Sequence, residues 1–172
     1  AIRLDAASKS VAVKDVATGE EEMLGYDKLV ISVGASPSVP PVKGMGLSGV
    51  FTMRTPDDAI RVRDYVQDNG VKKAVVVGAG FIGLEMAENL QQQGLAVTVI
   101  DFASQILPNI LDEEMAVYGK KHLLKKGIRV ITGTKAEEIV GEERVSAVKT
   151  SAGTLSCSLL IMAAGIRPNT AF

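Results

Sequence analysis

The sequence predicts an α/β fold built on a parallel sheet, and three observations carry that prediction. Four short, nearly continuous apolar runs, 73–77, 96–100, 128–131 and 159–164, have the composition of strands buried on both faces. Two stretches of helical character, 81–93 and 112–127, separate the first three runs. A glycine-rich turn, 78–83, joins the first run to the first of these helices. The order is β-α-β-α-β, one half of a doubly wound sheet.

Taken from the start of the chain, 2–5, 11–16 and 21–26 are short alternating segments around turns at Ala6-Ala7-Ser8 and Thr18-Gly19. They are expected to be hairpin strands with little apolar surface. A fully apolar strand is expected over 29–33, running into Gly34-Ala35-Ser36-Pro37. The proline- and glycine-rich stretch 37–46 is the best boundary candidate. A helix is predicted from Thr55 as N-cap, with Pro56 at its first position and Asp58 three residues past the cap, ending near Gly70. In 81–93, Gly83, Ala87 and Leu90 share a face, with small residues where the helix must approach the sheet. In 112–127, Asp112 is the N-cap, acids fill the first turn, lysines fill the last, and Gly127 caps the end. Residues 134–157 contain strand-like stretches broken at 141–143 and 151–153, so the last crossover is expected to be a small antiparallel meander.

The chain has 172 residues, 47% hydrophobic and 23% charged, the balance of a globular protein with a buried core. Nineteen basic residues against twenty acidic ones leave a net charge of −1, which argues against nucleic acid or an anionic membrane as partner. No apolar run has the length of a membrane span, and 1–10 lacks the layout of a signal peptide, so a cytoplasmic location is expected. The first residue is Ala, consistent with a processed or cut piece. Cys157 stands alone, so no internal disulfide or multi-cysteine metal site is expected, and its place in a strand-like run suits a buried apolar residue. His122 lies between lysines on a helix and is expected to be solvated. No nucleophilic triad or metal-spaced cluster is visible, so no catalytic residue and no metal ligand is assigned.

Gly78-Ala79-Gly80-Phe81-Ile82-Gly83 matches G-x-G-x-x-G. Gly78 permits the tight strand-to-helix turn, Gly80 leaves room for a pyrophosphate, and Gly83 lets helix and strand pack closely. The free N–H groups and positive dipole end of the helix then face the phosphates. Asp101 ends the second strand eighteen residues past Gly83, which completes the dinucleotide signature of a Rossmann-like sheet. A carboxylate there accepts the adenosine ribose hydroxyls and repels a 2′-phosphate, and 102–110 hold no Arg or Lys, so NADH is the expected cofactor. Glu85 lies at about the first turn of the helix, where the dipole favours an acid with or without a ligand. Phe81 is expected either to bulge toward the nicotinamide end or to pack under the helix.

Four stretches together, 78–85 (GAGFIGLE), 99–101 (VID), 30–40 (VISVGASPSVP) and 163–170 (AAGIRPNT), resemble the pyridine-nucleotide disulfide oxidoreductases. The similarity is greatest to the branch of NADH oxidases, NADH peroxidases and coenzyme A-disulfide reductases. It implies an NADH domain inserted into an FAD domain, with the chain crossing between them at 33–37 and 163–169. The implied division is a partial FAD-domain segment and connector at 1–40, the NADH domain at 41–164, and the start of a second FAD-domain segment at 165–172. It also implies that Ile82 and Gly165 contact the nicotinamide half, that Ala164 is a further cofactor-binding residue, and that Glu85 lies beside the nicotinamide. Some members place an aromatic residue over the adenosine where Ile110 stands here. The family's first glycine fingerprint and its redox cysteine have no counterpart in this chain. The implied function is to position NADH for hydride transfer to FAD in a parent enzyme, with oxygen, peroxide or a disulfide as final acceptor. The chain alone is expected to be inactive, with FAD bound only in the intact parent. A freestanding NAD(H)-binding module, or the matching domain of a nitrite, rubredoxin or ferredoxin reductase, remains the alternative. The implied partners are NAD(H), the remainder of the FAD domain and, through strand edges in 1–33, a second copy in a homo-oligomer.

Overall fold

The computed structural model describes residues 1–171. The chain divides into two compact units, one of Ala1–Ser36 with the chain end from Arg167, the other of Pro37–Ile166. In chain order the strands are β1 (Arg3–Asp5), β2 (Ser10–Lys14), β3 (Glu21–Gly25), β4 (Ala35–Pro37) and β5 (Val50–Thr52), followed by helix α1 (Pro56–Asp68). Then come β6 (Lys73–Val77), α2 (Phe81–Gln92), β7 (Ala96–Ile100), α3 (Glu113–Lys125) and β8 (Arg129–Ile131). The chain closes with β9 (Ala136–Gly141), β10 (Val145–Thr150), β11 (Gly153–Ser156), β12 (Leu159–Met162) and β13 (Ile166–Pro168).

In the larger unit, five parallel strands lie in the order β5-β12-β6-β7-β8. The chain moves across this sheet in one direction from β5 through α1, α2 and α3 to β8. Right-handed crossovers therefore put all three helices on one face. The connection from β8 back to β12 runs the opposite way and falls on the other face. There the antiparallel meander β9-β10-β11 takes the place of a helix. Side chains of the central strands alternate between the two layers. Leu159 and Ile161 pack with Val62, Ala87 and Leu90 on the helical side, whereas Leu160 and Met162 pack with Ile139, Val148 and Cys157 on the meander side. That two-sided burial is why these runs are continuously apolar.

The helices begin and end as their local chemistry requires. The Thr55 hydroxyl accepts the Asp58 N–H while the Asp58 carboxylate accepts the Thr55 N–H, a reciprocal capping box. Asp112 accepts the Met115 N–H at the start of α3. Gly127 lies one residue beyond the C-cap Lys126, in the left-handed region. Its N–H reaches the Leu124 carbonyl, and the Ile128 N–H reaches that of Leu123. That is the Schellman pattern, which leaves few orphan carbonyls.

The smaller unit holds a three-stranded antiparallel sheet, β1-β2-β3. Asp5 and Asp15 shape its turns by each accepting two backbone N–H groups. Ala12 is its buried apolar residue, while Met23 and Leu24 are exposed. Near the ends of the unit, the Ser36 hydroxyl donates to the Asn169 side-chain carbonyl and the Asn169 N–H to the Gly34 carbonyl. β4 and β13 form a two-stranded ladder.

One expectation is corrected: 29–33 is not a strand. Val30 is 88% exposed and Ile31 54%. An apolar run becomes a buried strand only when a neighbouring strand pairs with it and other layers cover its faces. Among the described residues no strand pairs with it. The last sheet strand also ends at Met162, two residues earlier than its apolar run suggests. No helix among the described residues is long and apolar enough to cross a membrane.

Candidate functional site

All five strands of the parallel sheet point the same way, so their C-terminal ends share one edge, the edge where doubly wound sheets place ligands. At that edge β6 delivers Gly78, β7 delivers Asp101 and β12 delivers Ala163-Ala164-Gly165. The three fingerprint glycines are there for three different reasons. Gly78 has φ +114°, and a β-carbon on it would run into the Ala163 carbonyl. Gly83 lies under α2, where a β-carbon would strike the Gly78 carbonyl and come within 3.4 Å of Val76. Gly80 has ordinary φ (−81°), and a β-carbon there would meet nothing within 4 Å. Neither backbone conformation nor protein packing therefore demands glycine at 80. The open space beside it is what a bound pyrophosphate needs.

The helix that starts there is left bare. α1 and α3 each carry a side-chain cap and two acids in the first turn. α2 begins at Gly80 with no capping hydrogen bond and no acid in its first turn. Its first N–H groups have no intrahelical acceptor, and no side chain of its own first turn offsets the positive end of its dipole. Glu85 sits just beyond that turn, exposed, with its backbone carbonyl accepting the Asn89 side-chain amide.

Asp101 is turned inward. It is 8% exposed, and its two carboxylate oxygens accept different backbone N–H groups, Ala79 at 2.6 Å and Ala103 at 2.8 Å. The first bond ties the end of β7 to the middle of the glycine loop. The second closes an Asx turn that starts the 102–111 segment. Each oxygen keeps lone-pair capacity for a further donor such as a ribose hydroxyl. Its own peptide is fixed as well, with the N–H donating to the Ile131 carbonyl and the carbonyl accepting the Thr134 N–H.

The other expected residues surround this edge. Phe81 is 61% exposed, so it does not pack under the helix, and Ile82 beside it is exposed. Phe102 (81%) and Ile110 (58%) are exposed in the segment that follows Asp101. Ala164 and Gly165 are exposed, and Gly165, at φ +108°, has its carbonyl held by the Ser38 N–H. Cys157 lies away from the site in the meander-side core, where burial pushes its thiol up to about 11. His122 is exposed. No metal-competent cluster occurs among the described residues.

Two features escaped the sequence reading. Leu107 has φ +46°, and its N–H donates to the Ala79 carbonyl at 3.0 Å. Nothing in Ile106-Leu107-Pro108 signals a left-handed leucine. The Asx turn to Ala103, by contrast, is a common habit of Asp two residues before an amide. A second match to G-x-G-x-x-G, at 44–49, forms a turn leading into β5 with no helix after it. Spacing alone does not make the loop. The strand before it and the helix after it do.

Fold and loop together define the class, a Rossmann-type domain with a complete dinucleotide fingerprint. The chain belongs to the pyridine nucleotide-disulphide oxidoreductase family, whose model matches residues 1–172. It is 44% identical over 167 residues to an NADH oxidase of Methanocaldococcus jannaschii, covering 96% of this chain and 37% of that protein. It is 40% identical over 151 residues to an NAD(P)H coenzyme A polysulfide/persulfide reductase of Pyrococcus horikoshii, covering 88% of this chain and 34% of that one. Among solved structures, the NAD-dependent persulfide reductase of A. fulgidus superposes with a TM-score of 0.84 at 40% identity, covering 96% of this chain and 30% of that one. The chain thus spans about a third of the length of the relatives it matches. These relatives are oxidoreductases, and NAD(H) and FAD are the cofactors of the family.

Proposed function

We propose that this chain is the NADH-binding domain of an FAD-dependent NADH oxidoreductase, with 1–40 and 165–172 belonging to the flavin domain of the parent. The observation that carries the reading is Gly80: a glycine that the fold does not need, at the uncapped start of α2, next to a buried acid. In the proposed complex the N–H groups of Gly80, Phe81 and Ile82 donate to the diphosphate. The free lone pairs of Asp101 accept the adenosine ribose hydroxyls. Exposed Phe81, Ile82 and Glu85, with Ala164 and Gly165, flank the nicotinamide end. Bound FAD supplies the two-electron acceptor in the parent, and the residues of this chain bind and orient the donor. The final acceptor is oxygen, peroxide or a disulfide such as that of coenzyme A. Composition suggests a cytoplasmic setting.

The test is calorimetric titration of the purified chain with NADH, NADPH and ADP-ribose. Saturable binding of NADH and ADP-ribose, with NADPH weaker, is expected. Failure to bind ADP-ribose would remove the dinucleotide reading.

A further inference from the structure

The loop that would hold the diphosphate is gripped at one residue, through the two peptide units that flank it. The Ala79 N–H is held by the Asp101 carboxylate at 2.6 Å, and the Ala79 carbonyl accepts the Leu107 N–H at 3.0 Å. Both grips come from one segment, the turn that leaves β7. That turn is itself braced. Ile106 is buried against α3, close to Gly119. The Leu107 carbonyl accepts the N–H groups of Ile110 and Leu111, and the Gln105 side-chain amide donates to the Leu111 carbonyl. Leu107 makes this contact at φ +46°, a conformation unfavourable for a branched side chain and made harder by the proline that follows. Strained backbone persists where its surroundings hold it in place, and such residues concentrate at functional sites.

We propose that Leu107 is a positioning residue for dinucleotide binding: its left-handed backbone aims one N–H at the Ala79 carbonyl and, with Asp101, fixes the glycine loop before ligand arrives. The inference rests on the proposed dinucleotide reading. With both backbone polar groups of Ala79 occupied, this residue donates nothing to a phosphate. The donors are confined to Gly80, Phe81 and Ile82, whose orientation is set by where Ala79 is held. Ligand then binds without having to order the loop, which is the usual gain from preorganisation. The contribution belongs to the diphosphate, so NADH and ADP-ribose share it equally.

The decisive variant replaces the 106–107 amide with an ester, by incorporating the α-hydroxy analogue of leucine at 107 in the full 172-residue chain. This deletes the N–H and keeps the side chain. Affinity for ADP-ribose and for NADH should fall together, by about 3- to 10-fold, the span of one neutral hydrogen bond. Thr55→Ala, which removes the α1 cap and touches nothing at the site, is the stability control and should bind ADP-ribose within about twofold of the parent chain. An ester chain that melts earlier but binds ADP-ribose normally would overturn the proposal, because the contact would then serve the fold alone. Equal losses in the ester and in Thr55→Ala would overturn it too, since lowered stability would be responsible. If the ester chain does not fold, amide exchange in the unaltered chain decides. Ala79 and Leu107 should be protected before any ligand is added, and fast exchange at both would refute a preset loop. An unaltered chain that fails to bind ADP-ribose would overturn the dinucleotide reading itself, and this inference with it.

Discussion

Replacing Asp101 with alanine removes a carboxylate that has two tasks, and the two separate in measurement. Its oxygens accept the Ala79 and Ala103 N–H groups in a nearly buried setting, so the substitution leaves two donors without their charged acceptor. At about 1.5 kcal/mol for each hydrogen bond to a charged group, the lower end of the usual range, stability should fall by about 3 kcal/mol. If the remaining lone pairs hold the adenosine ribose, NADH should also weaken by roughly 1.5–3 kcal/mol, on the order of 10- to 150-fold. NADPH suffers from the looser loop but gains from the loss of a negative charge facing its 2′-phosphate, so it should weaken much less. The preference for NADH should collapse without fully reversing, because 102–110 contain no Arg or Lys. Phe102→Arg in the same background should push the balance further toward NADPH, since Phe102 is exposed beside Asp101 and a guanidinium can hold a phosphate with two hydrogen bonds. Calorimetric titration of both cofactors, with chemical denaturation of each variant, separates the two effects. If NADH and NADPH weaken by the same factor, Asp101 serves only the loop, and the cofactor assignment fails.

Glu85→Ala should leave ADP-ribose affinity nearly unchanged while weakening NADH, because Glu85 lies beyond the first turn of α2, whose N–H groups would hold the diphosphate; equal losses for both ligands would make it a fold residue. The smaller unit should exchange its β1–β3 amides fastest, or associate through them, given exposed Met23 and Leu24 and the edges of a three-stranded sheet; slow exchange in a proven monomer would contradict this. Thr55→Ala should cost about 1 kcal/mol by removing the α1 cap, measured by denaturant unfolding. Asp58 in the same box is held below the usual carboxylate range, first by the Thr55 N–H and then by the Thr55 hydroxyl and the Arg54 N–H. Its stabilisation is therefore complete above the unfolded value of about 4 and is lost as pH falls through the lowered folded value, so Asp58→Asn should flatten that acid limb of a stability–pH curve.

The sequence by itself determined the parts whose physics is local. Thr55, Asp112 and Gly127 mark helix ends because caps satisfy backbone groups a few residues away. The doubly apolar runs mark strands with two covered faces, and the spacing from Gly78 to Asp101 marks a loop and the strand end that answers it. Other decisions needed partners far along the chain. That β12 slides between β5 and β6, and so sends the meander to the face without helices, follows from the handedness of crossovers acting on an order no local pattern encodes. The run 29–33 has the composition of a core strand yet stays unpaired, because composition cannot supply a neighbouring edge. At the site, sequence predicted an acid beside a ribose. The fold turned that acid inward to hold Ala79 and set a left-handed leucine against the same residue, since a buried hydrogen bond exists only once both of its ends have been brought together.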